Sequence, residues 1–399
     1  MKHAVRGGVV AVVLSVACLS VGCSGKAGLG SAKSPVRHGG PSNGEPGEGQ
    51  DNAPPRVDIV FALDTTSSMS GLIEGAKAKI WEIARKAQDG KPAPEVRVGL
   101  VAYRDRGDEY VTKVVDLTSD LDSVYSALRD LNAHGGGDGP EHVLKGLNDA
   151  VNEVTWSKSK SAVKLVYLVG DAPPHEDYDD GLTLKGVLGD ALDKGVRISA
   201  IRCGDDRETL AKWTTIALKT DGVVSTIEQN GGVVAAVATP YDDELARLNA
   251  ELAKTEVHFG SREEQKAAAD VVAANVAAPA AAQADRAGFY AKRASAKPGA
   301  APTKKDLTAS AKPAAVALAG VKESELSAEM QKMSPADRAK FVEQKRAQRE
   351  VVLKQIAEAS VKRDAVIKAA PKRPASADGF DAKVMDSLKK AGEAKGIVY

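Results

Sequence analysis

Between Arg56 and about Pro240, short apolar runs alternate with amphipathic stretches, and few architectures accept that pattern. The runs are 57–63, 96–103, 111–117, 163–170, 196–202 and 223–227, rich in Val, Ile and Leu with few polar interruptions. A strand that is apolar at nearly every position is buried on both faces, which is the mark of a parallel sheet covered on two sides. The intervening stretches predict helices over about 70–87, 119–132, 140–154, 182–194 and 207–219. The expected fold is therefore α/β: a doubly wound, Rossmann-like, mostly parallel six-stranded sheet with helices on both faces. The short third strand suits an antiparallel edge.

In such sheets ligands bind beyond the carboxyl ends of the strands, so the residues closing each run matter most. The first run ends on Asp64 and opens Thr65-Thr66-Ser67-Ser68-Met69. Asp64, Thr66 and Ser68 fall at alternating positions and offer hard oxygen donors of the kind that suit Mg²⁺ or Mn²⁺. The competing reading is an ordinary strand-to-helix turn with Ser67, Ser68 or Ser70 as a helix N-cap. By alternation, Thr65 and Ser67 face away from the ligands and bond backbone.

Two distant segments bear on that choice. His134-Gly135-Gly136-Gly137-Asp138-Gly139-Pro140-Glu141 is a glycine-rich loop opening a helix, but no Gly-Lys-Ser/Thr follows and its acids repel phosphate, so it is not a phosphate loop. Its glycines instead present Asp138. The fourth run ends on Gly170-Asp171-Ala172-Pro173-Pro174-His175, again an aspartate at a strand end. Three loops at one sheet edge, each delivering oxygen ligands, form a constellation that a capping serine does not predict.

With these residues the chain from 56 to 240 resembles the von Willebrand factor A domain. It is most similar to the bacterial and α-kinase-associated branch, through Asp64-Thr65-Thr66 with Ser68-Met69, Tyr103-Arg104-Asp105, Gly135-Gly136-Gly137-Asp138 with Pro140-Glu141, Trp156 and Gly170-Asp171-Ala172-Pro173-Pro174-His175. The resemblance implies a metal-ion-dependent adhesion site with Asp64, Thr66, Ser68 and Asp171 as metal ligands, Mg²⁺ (or Mn²⁺ or Ca²⁺) as its ion and a protein as its ligand; Asp138 is added to the metal residues from this chain's own sequence. Asp138 departs from the best-known members, in which a threonine usually holds that place. A third carboxylate leaves the site net negative, so the expected metal is tightly held and captures a partner's acid only weakly.

The ends differ from the middle. Residues 1–22 have a basic start, an apolar run too short to span a bilayer and small residues before Cys23, which describes a secretory signal peptide. Leu19-Ser20-Val21-Gly22-Cys23 resembles a bacterial lipobox displaced by one residue, so Cys23 is the expected lipidation site, with Cys18 an alternative. Residues 23–55, rich in Gly, Pro and Ser, read as a flexible tether. After 240, a helical extension (241–292), a linker (293–313) and a helical basic tail (314–399) are expected, the last with a helix opened by Ser334-Pro335-Ala336-Asp337. Residues 23–240 carry 32 acids and 25 bases, and 241–399 carry 22 acids and 28 bases, so the tail can contact anionic lipid, cell wall or the acidic domain itself. Cys203, in an apolar run, reads as a buried small residue rather than half of a disulfide.

Arg106-Gly107-Asp108 spells an adhesion tripeptide, and His175 with Glu176, Asp177, Asp179 and Asp180 offers a second cation site; a turn and an exposed acidic loop are the simpler accounts. No nucleophile elbow is present, and the second carboxylate of an Asp-x-Asp phosphatase would fall on Thr66. With aromatics at 4%, a base-stacking nucleic-acid platform is not expected. The sequence thus points to a cation-dependent protein-binding module, not an enzyme. It would sit on an exported, lipid-anchored protein of the bacterial cell envelope, periplasmic or at the cell surface. A metal-dependent hydrolase and a structural envelope protein with a fold-stabilising metal are the rivals.

Overall fold

The computed structural model describes residues 54–137, 139–230, 237–296, 305–371 and 379–399. Cys23, the signal peptide, the tether up to residue 53 and Asp138 lie outside them. Six strands, β1 (Arg56–Asp64), β2 (Glu95–Tyr103), β3 (Thr112–Thr118), β4 (Val163–Gly170), β5 (Arg197–Cys203) and β6 (Val224–Ile227), form one sheet in the order β3-β2-β1-β4-β5-β6. All pairings are parallel except β2 with β3, the antiparallel edge expected of the short third run. Order reverses at β1, which lies between β2 and β4. That reversal opens a crevice beyond Asp64, where such sheets place ligands.

Between the strands run α1 (Ser70–Ala87), α2 (Leu121–Arg129), α3 (Val143–Asn152), α4 (Leu184–Asp193) and α5 (Arg207–Lys219). Because side chains alternate along β1, Val57, Ile59, Phe61 and Leu63 join one apolar layer, and Val60 and Ala62 join the other. The second layer is closed by α3, α4 and α5 through Val143, Leu147, Val187, Trp213 and Ile216. On the first face, α1 contributes Leu72, Ile73 and Ile80, and α2 contributes Val124 and Leu128.

The remainder of that first face is covered from the far end of the chain. Seven helices follow the sheet: α6 (Asp242–Ala253), α7 (Arg262–Val276), α8 (Ala280–Ala296), α9 (Ala314–Leu318), α10 (Ala328–Gln331), α11 (Pro335–Ala369) and α12 (Phe380–Glu393). Phe380 of α12 meets Phe61 at 5.7 Å between ring centres, and the Tyr167 hydroxyl of β4 donates to the Val384 carbonyl at 2.8 Å. Leu245, Leu248 and Leu252 of α6, at the helical spacing read in the sequence, are buried in the same core. The Ser334 hydroxyl accepts from the Asp337 amide, with Pro335 at the first helical position, as expected of an N-cap.

The acidic domain and the basic tail meet through buried ion pairs. Arg286 of α8 donates to both carboxylate oxygens of Asp122 in α2, at 2.7 and 2.8 Å. Arg85 of α1 pairs with buried Asp285 and part-exposed Asp364, while Arg363 of α11, with Asp242 and Asp285, ties the helices after the domain to one another. Within the stretch expected as a linker, α8 continues to Ala296, and Asp306, Leu307 and Thr308 are buried. Cys203 is a free, buried thiol. Among the described residues no helix is long and apolar enough to cross a membrane.

Candidate metal centre

Asp64 ends β1 with no exposed surface. Its Oδ1 accepts from the Thr66 amide at 2.9 Å and the Thr66 hydroxyl at 2.6 Å. Its Oδ2 is buried and, among the described residues, has no hydrogen-bond partner. Gly170, at the end of neighbouring β4, leaves it room: a Cβ there would lie 2.8 Å from Asp64 Cβ and 3.0 Å from Oδ2. Burial pushes the Asp64 carboxyl from its ordinary 3.8 up to about 7, against the Thr66 hydrogen bonds, and the Asp171 charge adds to the rise.

The backbone after Asp64 is clamped from three sides. The Thr65 amide donates to the Tyr103 carbonyl, and the Thr65 carbonyl accepts from the His134 amide and from Arg104 Nε. As alternation predicts, the Thr65 hydroxyl turns away, donating to the Tyr103 carbonyl at 3.0 Å, and Ser67 donates through its hydroxyl to the Gly135 carbonyl at 2.8 Å. The serine cap does not form: neither the 3₁₀ turn Ser67–Met69 nor α1 has a side-chain cap bond. Ser67 is committed to the second loop, which leaves Ser68 exposed with its Oγ 3.5 Å from that of Thr66.

The second loop turns through Gly135 and Gly136, at φ of 82° and 76°, a left-handed conformation that glycine adopts freely. A Cβ on Gly136 would also come within 2.8 Å of Glu141 Oε1 and 3.0 Å of Thr66 Cβ. That close approach brings Glu141 beside Thr66. Glu141 is 4% exposed, and its Oε2 is another buried oxygen without a partner. Burial, then the charges of Asp64, Asp105 and Asp108, push its carboxyl from 4.5 up to about 9. Its amide donates to the Pro173 carbonyl and its carbonyl accepts from the His175 amide, which ties the second loop to the third.

Asp171 follows β4 on that third loop. Its carbonyl accepts from the Thr209 hydroxyl, and its Oδ2 from Gln229 Nε2, which also reaches the Ser68 carbonyl at 3.4 Å. Asp64, Thr66, Ser68 and Asp171 therefore gather at one sheet edge, as the sequence indicated; Asp138 lies outside the described residues. Glu141 and Gln229 were missed. The signal for Glu141 is its place after Gly-Pro at the helix entrance, in a loop whose glycines read as presenting Asp138. Gln229 follows β6 and has no motif of its own.

A buried carboxylate that keeps one oxygen bare is costly unless a cation meets it. Two such oxygens beside two hydroxyls make a hard-oxygen donor set that fits a divalent ion. Among the described residues no three His, Cys, Asp or Glu side chains form a cage by themselves, so the hydroxyls and water would have to complete the shell. When bound, such an ion supplies positive charge at the crevice mouth.

The discounted motifs have structural work. In the Arg106-Gly107-Asp108 tripeptide, Arg106 lies over the Tyr178 ring and pairs with Asp180, and Asp108 accepts from the Gly136 amide at 3.1 Å. His175 stacks on Tyr178 at 4.2 Å and bonds Asp177 at 2.8 Å, and Tyr178 donates to Asp105.

A family model described as the von Willebrand factor A domain matches residues 58–225. The rat protein "von Willebrand factor A domain-containing protein 7" is 38% identical over 97 residues, 24% of this chain and 10% of the relative. "Alpha-protein kinase vwkA" of Dictyostelium discoideum is 27% identical over 129 residues, 30% of this chain and 19% of the kinase. The solved structure of the conserved hypothetical protein BatB from Bacteroides thetaiotaomicron is 16% identical, with a TM-score of 0.31, over 44% of this chain and 90% of that one. The chain thus spans only about a tenth of the length of the first of these relatives.

Proposed function

Because a von Willebrand factor A domain model matches residues 58–225, we propose that this chain carries a divalent-cation-dependent protein-binding module rather than an enzyme. The observation that carries the reading is the pair of buried, partnerless oxygens, Asp64 Oδ2 and Glu141 Oε2, beside Thr66. Asp64, Thr66, Ser68 and Asp171 are its metal residues, with Asp138 on the same loop as Glu141. Mg²⁺ is the first candidate because it is held by one or two carboxylates and keeps several waters. Mn²⁺ and Ca²⁺ share the donor chemistry.

Glu141 sharpens the electrostatic argument. With Asp64, Glu141 and Asp171 at the crevice, and Asp138 three residues before Glu141 in the sequence, the acids outnumber the ion's charge. The proposal is a tightly held ion with a weak pull on a partner's carboxylate. Calorimetry on Asp138→Thr tests this: Mg²⁺ binding should weaken while capture of a carboxylate ligand is preserved or strengthened, and a tighter Mg²⁺ affinity would count against it.

The residues before the domain support export and anchoring in a bacterial cell envelope through acylated Cys23, with 23–55 as the tether. Several acyl chains hold a membrane far more firmly than one. A palmitate analogue should label the wild-type chain and spare Cys23→Ala; equal labelling would remove the anchor from the proposal. Recovery of partner from envelope extract with and without EDTA, compared with Asp64→Ala, tests the binding role. Turnover that depends on Asp171 would instead make the protein a hydrolase.

A further inference from the structure

On the other side of Thr65 from the metal loop lies a cleft of about 350 Å³, lined among others by Arg104, Glu109, Tyr110, Lys113 and His134. We propose that it is a carboxylate-binding site in which a ligand's acid displaces Glu109 from between Arg104 and Lys113. The proposal does not depend on the metal reading, since none of these residues is a candidate metal ligand.

Arg104 is the core of the argument. It is 2% exposed, its Nε is bound to the Thr65 carbonyl and its Nη2 to the Asn132 carbonyl, which fixes the guanidinium plane. The remaining nitrogen, Nη1, is buried and, among the described residues, donates to no acceptor within hydrogen-bond distance. Its guanidinium carbon lies 4.3 Å from the Tyr110 ring centre, and Lys113 Nζ lies 3.9 Å from the same ring. Tyr110 is in turn held by its hydroxyl, 2.8 Å from the Thr65 hydroxyl. Two cations are thus gathered at one rigid ring.

What stands between them is a carboxylate of the chain's own. Glu109 is 3.6 Å from Arg104 Nη1 and 3.4 Å from Lys113 Nζ, with 70% of its side chain exposed. Charge-assisted hydrogen bonds close at about 2.7–2.9 Å, so Glu109 neutralises the seat without filling it. Glu109 is exposed and sits beyond close hydrogen-bond distance of buried Arg104, so it is a weak partner that an incoming acid can displace. An incoming carboxylate can take the same position at full hydrogen-bond distance from the unused Arg104 nitrogen. A protein side chain and a free carboxylate present the same recognition chemistry, and the probes below distinguish them.

Titration of the full chain followed by amide NMR, with N-acetylglutamate amide, a capped tetraglutamate peptide and inorganic phosphate as probes, tests the assignment. Saturable shifts should centre on Tyr110, Lys113 and His134 and persist in EDTA. Glu109→Gln should tighten carboxylate binding about two- to fivefold and Lys113→Met weaken it similarly, whereas Glu208→Gln, remote on α5, should change nothing. Tighter binding of the peptide than of the single residue assigns the site to a protein partner, and equal binding assigns it to a free carboxylate. Shifts that centre on Asp64 and Ser68 and vanish in EDTA, tighter binding of phosphate than of carboxylate, or equal effects of Glu109→Gln and Glu208→Gln would overturn it.

Discussion

Asp64 has one oxygen satisfied twice by Thr66 and one that, among the described residues, meets no hydrogen-bond donor. This asymmetry gives the metal-free protein a definite pH response. The Asp64 carboxyl titrates near 3.8 when unfolded and near 7 when folded. In the metal-free state the native chain therefore holds a proton across that window that the unfolded chain has released. The associated stability is full below about pH 4 and is lost as pH rises through 7, and Glu141, raised to about 9, extends the loss upward. Metal-free protein should melt at progressively lower temperature from pH 5 to 9, and excess Mg²⁺ should restore most of the loss at pH 8. Asp64→Asn should flatten the slope; a metal-free melting point that rises with pH would contradict the account. Glu141→Gln should weaken Mg²⁺ binding about tenfold or more in calorimetry, and unchanged affinity would remove Glu141 from the shell.

At the level of elements, the strands were legible because a doubly covered parallel sheet demands unbroken apolar runs, and 163–170 matches β4 residue for residue. The helices 70–87 and 207–219 were equally plain, since their amphipathic spacing runs from end to end. What did not show was loop chemistry. Ser67 looked like a cap, but its hydroxyl crosses 68 residues of chain to Gly135, a partner no local pattern names. Glu141 enters the site for the same reason, through the close approach that Gly136 allows. Gly170 is the corresponding constraint on the strand side. Gly170→Ala would press a methyl onto Asp64 and Tyr103, so it should cost about 1–3 kcal/mol in denaturant unfolding and displace Asp64; a neutral change would mean the crevice is looser than drawn.

At the scale of the whole molecule, the C-terminal helices are part of the same core as the sheet. The charge asymmetry pointed toward such a contact, but which tail helix meets which strand depends on pairings hundreds of residues apart. α12 covers β4 through Val384 and meets Phe61 through Phe380. Removing 380–399 should therefore expose Phe61 and Tyr167 and give an aggregating protein, and Phe380→Ala should cost about 3–5 kcal/mol. Asp122→Ala, which takes from buried Arg286 its two closest carboxylate bonds and leaves it Asn249 and the more distant Glu256, should cost about 3 kcal/mol. A fragment ending at 240 that melts cooperatively at the wild-type temperature would refute the shared core. The central claim concerns the three loops that this scaffold holds at one edge. Isothermal calorimetry of Mg²⁺ into the metal-stripped full chain, beside Asp64→Asn shown to be folded, tests it most directly. The account predicts one ion bound by the wild type and none by the variant; no saturable heat in the wild type, or equal affinity in both, would contradict it.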